Sequence, residues 1–209
     1  DGDQGESFKA HAYPTALLRV GLFQDWFELR LAWTILDETR TTGSSREKTV
    51  GSTDLFVGTT LGLTEQCGVR PEMALIVRMS VPTGSGDITF GEVRPGMILI
   101  YAWEINDWLS FAGSTQGFRA RDDDEHEYTE YAQSLVSGIS LTERVGSFVE
   151  WFAFFPHSAV APDNRPIHFM DGGFTYLVNN NLQLDVSAGV GLSESAADYF
   201  LGTGLSARF

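Results

Sequence analysis

Cysteine is almost absent: among 209 residues only Cys67 carries a thiol, so no internal disulfide can staple the fold. It stands in Thr64-Glu65-Gln66-Cys67-Gly68 with no His or Cys cluster beside it. That setting argues against a metal site or catalytic thiol and marks a turn residue. Long apolar runs are missing as well. The longest, Met97 to Trp103, falls far short of the roughly 20 residues a spanning helix needs. Mean hydropathy is −0.08, neither strongly polar nor membrane-helix-like. Positive charge is scarce, with 14 Lys and Arg against 28 Asp and Glu and a net charge of −14. Nothing resembles the basic stripe that nucleic-acid phosphates require, so no nucleic-acid partner is expected. The acid excess sits largely in loops such as 121–125, where solvated charge competes with a cation- or lipopolysaccharide-facing surface as the reading. The chain starts at Asp1 with no apolar leader, so any targeting peptide is expected to have been removed.

What is present is glycine (22 residues), a 12% aromatic content and a pervasive period of two. From Leu182 to Leu192 every even position is apolar and every odd one is polar or glycine. A strand puts such residues on one face, whereas helical spacing scatters them. Similar alternation marks 26–35, 54–63, 72–81 and 198–209, and weaker alternation marks 13–23, 96–105, 108–119, 128–141, 146–155 and 167–178. Eleven strands are visible, most of about ten residues, which suits a tilted bilayer crossing of about 9–11 residues better than a soluble sandwich.

The connections alternate short and long. Gln24-Asp25, 65–70, Asn106-Asp107, 143–145 and 179–181 are short, while 37–52, 82–95, 120–127, 156–166 and 193–197 are longer. Transmembrane barrels have this two-beat rhythm. Trp26, Trp103, Trp108, Trp151, Tyr199 and Phe209 near strand ends would form interfacial girdles. The expected fold is therefore all-β: a transmembrane antiparallel up-and-down β-barrel of about 12 strands. Parity places Phe209 on the periplasmic side and leaves the first strand missing from the 11 visible, because an open edge is costly in lipid. Residues 1–12 are expected to be an extracellular-side loop remnant, and 13–209 a single barrel domain.

Particular stretches carry a family resemblance. Ala16 to Phe23 with Phe27-Glu28-Leu29-Arg30, Asp54-Leu55-Phe56-Val57-Gly58, Val81-Pro82-Thr83-Gly84, Asn181 to Asp185 and Gly204 to Phe209 are similar, over 14–209, to the phenol meta-pathway-type outer-membrane transporter family. The resemblance implies an outer-membrane channel with an upstream first strand, and it carries no catalytic motif.

Alternation places Arg19, Glu28, Arg30, Asp54, Glu72, Arg78, Glu104, Glu130, Glu150, Phe152, Phe154, Asp171, Asp185 and Arg208 on the inward face as lumen-lining candidates. Mixed charges there read either as a lattice of satisfied ion pairs or as a pathway that selects permeants. Phe152 and Phe154 read either as lumen packing or as a greasy patch for an apolar solute. The histidines His11, His126, His157 and His168 look loop-borne, and adjacent His157-Ser158 cannot easily form a nucleophile–base pair. No Gly-x-Ser-x-Gly occurs, and Gly84-Ser85-Gly86 lacks the Lys of a phosphate loop. No enzyme activity, cofactor or metal is expected.

The reading is a bacterial outer-membrane channel or facilitator for passive diffusion of small solutes, hydrophobic or aromatic ones included. The alternatives are a structural or adhesive barrel with a plugged lumen and, third, a barrel-embedded lipid hydrolase. Expected partners are outer-membrane lipid, an unidentified small permeant, the barrel-assembly machinery through the C-terminal strand, and further copies in a homo-oligomer.

Overall fold

The computed structural model describes residues 6–22, 26–121, 126–157, 159 and 164–209, with the side chains of Glu6 and Asp87 left aside. Among the described residues the fold is all-β, built of antiparallel strands in up-and-down order, as the alternation predicts. The strands are β1 (Glu6–Gly21), β2 (Phe27–Thr42), β3 (Ser45–Ser52), β4 (Leu55–Thr64), β5 (Glu72–Val81) and β6 (Arg94–Asn106). They continue as β7 (Leu109–Arg121), β8 (Glu127–Ser140), β9 (Val145–His157), β10 (Ile167–Asn179), β11 (Leu182–Gly191) and β12 (Tyr199–Ala207). One 3-10 turn, Gly86–Ile88, interrupts the β5–β6 connection. No helix among the described residues is long and apolar enough to cross a membrane.

The chain divides into two compact units, Asp1–Leu61 with Ile76–Gly96, and Gly62–Leu75 with Met97–Phe209. In the first, β1 pairs β2 from Glu6↔Thr42 to Gly21↔Glu28, with the register shifting between Ala12 and Thr15. Pro14 sits in that shift, where its missing N–H costs no ladder bond. β2 continues past the apolar part of its sequence and turns at Gly43 (φ 59°) into β3, with pairs from Thr42↔Ser45 to Ile35↔Ser52. β4 then pairs β2 from Phe27↔Leu61 to Ala32↔Phe56.

Two expectations are corrected here. Residues 6–12, expected in a loop remnant, are the first half of β1, and 37–52, expected as a long loop, form the β2–β3 hairpin. The stretch 37–52 does not alternate apolar with polar, and Phe8-Lys9-Ala10-His11-Ala12 alternates over only five residues. They are held instead by ladder hydrogen bonds, Thr-rich β-propensity and pairs such as Lys48 Nζ on Asp37 Oδ2 at 2.9 Å. The expected turn at Gln24-Asp25 and the acidic run 122–125 lie outside the described residues.

In the second unit β6 to β12 follow one another in sequence order. The registers run from Leu109↔Ile139 for β7–β8, Thr129↔His157 for β8–β9, Ile167↔Phe154 for β9–β10 and Phe169↔Gly191 for β10–β11. β12 pairs β11 from Leu182↔Ala207 to Val190↔Tyr199, the partner expected for the C-terminal strand. The short turns are closed by side chains suited to them. Asn106 Oδ1 accepts from the Trp108 and Leu109 amides, Thr142 Oγ1 from Arg144 and Val145, and Asn179 Oδ1 from Asn181. Cys67 is exposed in the β4–β5 turn, bridged to Arg70.

Burial runs opposite to that of a soluble sandwich. Among the described residues no large side chain is fully buried, and the buried apolar ones are Ile76, Ala120, Ala132 and Ala153. One face of each unit's strands exposes its apolar residues: Val77 and Met79 in the first, Met170, Val186, Val190, Leu201 and Leu205 in the second, with Leu201 reaching 77%. Glu28, Arg30 and Arg78 in the first unit, and Asp185, Ser187, Gly189, Gly202 and Gly204 in the second, take the opposite face.

Candidate functional site

That polar face is where side chains with chemistry converge. In the first unit, pairing sets Arg19 beside Arg30 and Glu28 beside Thr60. Glu28 lies between the two guanidiniums, 2.9 Å from Arg19 Nε and 3.6 Å from Arg30 Nε. It also accepts from Thr60 Oγ1 at 3.3 Å. Arg30 and Glu28 are half-buried, so the pair offsets charges that would otherwise be costly to shield from water. Arg30 faces Gly58 across the β2–β4 ladder. A Cβ at Gly58 would sit 3.1 Å from the Val77 carbonyl oxygen and 3.2 Å from Arg78 Cβ, so glycine permits this close approach. The Arg78 guanidinium lies over the Phe56 ring at 5.3 Å, a cation–π contact.

Asp54 begins a second arrangement on this face. Expected as the first residue of a strand, it instead lies in the junction between β3 and β4, outside both. It is only 8% exposed. Its Oδ1 accepts from Thr89 Oγ1 at 2.6 Å and from the Gly84 amide at 3.0 Å, and its Oδ2 accepts from the Phe90 amide at 3.2 Å. Burial alone would push the carboxyl up, but these hydrogen bonds and the Arg94 charge hold it below the ordinary carboxylate value. Two more contacts tie the same loop down. The Ser52 amide donates to Ser85 Oγ at 2.6 Å while the Ser85 amide returns a bond to the Ser52 carbonyl, and the Leu55 amide donates to Thr83 Oγ1 at 3.0 Å. Gly84 must be glycine here, since a Cβ would come within 2.8 Å of Asp54 Oδ1 and of the Ser52 carbonyl. Under the loop is a cavity of about 350 Å³ walled by Leu36, Glu38, Ser80, Ile88, Phe90 and Arg94 together with Asp54. The Arg94 guanidinium stacks on Phe90, 3.2 Å from the ring centroid.

The second unit fills its polar face differently. Register brings Phe152 opposite Phe169, and their rings stack at 4.9 Å with an 18° tilt. Phe200 closes the group, 6.1 Å from Phe152 and 6.0 Å from Phe169, and Phe154 meets Phe152 edge-on at 6.0 Å. Gly189 pairs with Phe200, and a Cβ there would collide with the Phe200 ring and lie 2.7 Å from Asp171 Cβ. One row further, Glu150 and Asp171 are direct cross-strand partners. Asp171 Oδ1 is buried with no hydrogen-bond partner among the described residues.

Of the fourteen candidates, Arg19, Glu28 and Arg30 form one network, and Glu150, Asp171, Phe152 and Phe154 form another. Asp54 anchors the loop and Arg78 covers Phe56. Glu130 accepts from Tyr128 Oη at 3.3 Å, and Asp185 lies against Gly204. Arg208 reaches the Asn180 carbonyl at 3.3 Å, and the backbone of Glu104 exchanges hydrogen bonds with the Gln66 side chain. Glu72 is an exposed residue at the start of β5, apart from both networks. Phe169, Phe200, Thr89, Phe90 and Arg94 were not singled out from sequence. For the two phenylalanines the signal was present: each is an aromatic at a position in phase with its strand's polar residues, Asp171 and Gly202. His11, His157 and His168, expected in loops, lie in β1, β9 and β10, and His168 stacks on Trp151 at 5.9 Å. No group of three or more metal-ligating side chains occurs among the described residues.

A family model described as "Putative MetA-pathway of phenol degradation" matches residues 5–209, essentially the whole chain and the family suspected from its motifs. Comparison with curated proteins gives no match.

Proposed function

The chain belongs to that phenol-degradation-pathway family, and from this premise we propose that it is an outer-membrane β-barrel serving as a passive channel for small solutes. The observation that carries the reading is the inverted burial. Val77 and Met79 of β5 in the first unit, and Met170, Val186, Val190, Leu201 and Leu205 of β10 to β12 in the second, stand exposed along their strands, and clustered apolar exposure is what monomeric soluble proteins rarely leave open. Lipid is the solvent that suits such a face, and strands are, besides helices, the elements that satisfy their backbone while crossing it.

The polar face is then the lumen wall, where Arg19, Glu28, Arg30 and Glu150 meet water and solute. Eight of its candidates are acids (Glu28, Asp54, Glu72, Glu104, Glu130, Glu150, Asp171, Asp185) and four are arginines, so cations and neutral solutes are preferred over anions. The phenylalanine group offers an apolar track beside the charged rows, suited to hydrophobic or aromatic solutes. No bond is made or broken, and no cofactor takes part. Insertion depends on the barrel-assembly machinery engaging the β12 end of the chain.

Cell fractionation and planar-bilayer recording test this together. The protein is expected in the outer-membrane fraction with heat-modifiable migration, giving stable conductance steps whose reversal potential favours cations. Correct fractionation without conductance would favour the plugged, structural barrel. A detergent-free, monodisperse soluble protein would overturn the membrane reading.

A further inference from the structure

The β5–β6 connection is the longest on the described polar face, yet it is tied down at several points. Residues 82–93 lean over the side of the first unit that carries Leu36, Glu38 and Ser80, in phase with Glu28, Arg30 and Arg78. An extracellular loop with no task on that side would be solvated and would need no buried acceptor. This one surrounds an almost inaccessible carboxylate with two backbone amides and a hydroxyl. Ser85 and Thr83 add bonds back to Ser52 and Leu55. The donors come from positions spanning the loop, so its path is set as a whole rather than at one end.

We propose that the 82–93 loop is the constriction of the channel and that Asp54 is the residue that positions it against the lumen wall. The inference rests on the channel reading above. Phe90, 44% exposed, with the Arg94 guanidinium on its face, is what the loop offers a passing solute. Glu38 and Arg94, opposite charges on the same cavity wall, give that constriction a polar rim. Removing the Asp54 carboxylate frees the Gly84 and Phe90 amides to take water, and the loop swings from the wall.

The test compares the full-length wild type with Asp54→Ala, Asp54→Asn and a variant whose residues 84–91 are replaced by Gly-Gly. Each is reconstituted, checked for heat-modifiable folding, recorded in planar bilayers and challenged with protease. The expected result is a single-channel conductance raised about two-fold by the shortened loop and by Asp54→Ala, as for any widened constriction. Asp54→Ala also makes the loop cleavable, and Asp54→Asn falls between. A shortened loop with wild-type conductance would overturn the constriction. A loop that stays protected in Asp54→Ala would overturn the role of Asp54. If Asp54→Ala does not fold, Asp54→Asn decides the latch and the shortened loop decides the constriction. If folded wild type carries no current, the channel reading fails and the constriction with it, while the protease comparison still decides whether Asp54 pins the loop.

Discussion

In the first unit the polar face is held by charge: Glu28 between two arginines, Arg78 over Phe56, and Asp54 inside a ring of donors. In the second unit the corresponding face is held by shape, with Phe152, Phe169 and Phe200 packed over positions kept open by glycine. Both faces come from the same alternation. The difference teaches that period two assigns a residue to a face but leaves the means of filling that face open. A charged lattice is strongest where carboxylates are half-buried and well surrounded, while a ring stack depends on the space left by the neighbouring strand.

The largest effect is expected on the charged side. Asp54→Ala leaves two backbone amides without their acceptor and should weaken loop docking by about 3–6 kcal/mol, since each bond to a charged group contributes about 1.5–3 kcal/mol. Hydrogen exchange of the 82–93 segment would show it, with no change at the Phe152 group. The same anchor should respond to acid. The folded Asp54 carboxyl titrates below its unfolded value, so its contribution is fully present above the unfolded value and is lost as pH falls through the folded one. Protection of 82–93, taken relative to the intrinsic exchange rate at each pH, should therefore fall in acid in wild type and be independent of that titration in Asp54→Asn.

On the packed side, Gly189→Val drives a branched side chain into the Phe200 ring and should cost about 1–3 kcal/mol, as overpacking does. A lowered temperature for the heat-modifiable transition would measure it. A wild-type transition would mean that the phenylalanines are free to move aside, and the contrast between the units would fail. Glu28→Gln removes the charge that two arginines share, and about 1 kcal/mol is expected. Arg19→Ala should do least, at most about 1 kcal/mol, because the Arg19 side chain is 59% exposed and water screens its pair. Denaturant unfolding of both variants would rank them, and a reversed order would show that Arg30 does not depend on Glu28.

Much of the fold was legible because polar residues on one face and exposed apolar residues on the other leave a mark on every second residue. Leu182 to Leu192 and Glu72 to Val81 were readable for that reason, and so was the pairing of the last two strands. The hairpin of β2 and β3 was not, because Arg46, Glu47, Lys48 and Val50 are exposed and neither face must be apolar. Nor was the extent of β1, because the alternation from Phe8 to Ala12 is only five residues long and pairing with 36–42 is what joins it to the rest of the strand.

The sites divide along the same line. By itself the sequence determined that the chain forms antiparallel strands with two unlike faces, and which side Arg30, Glu150 and Phe152 take, because side chains alternate by backbone geometry alone. Only the tertiary structure decided their neighbours. Phe169 meets Phe152 through the register of β9 with β10, and Phe200 joins them through β11 and β12. Asp54 meets donors 30 to 36 residues away because a loop folds back over its own sheet. Such contacts are fixed by the sum of many hydrogen bonds along paired strands, a quantity that no single stretch of sequence carries.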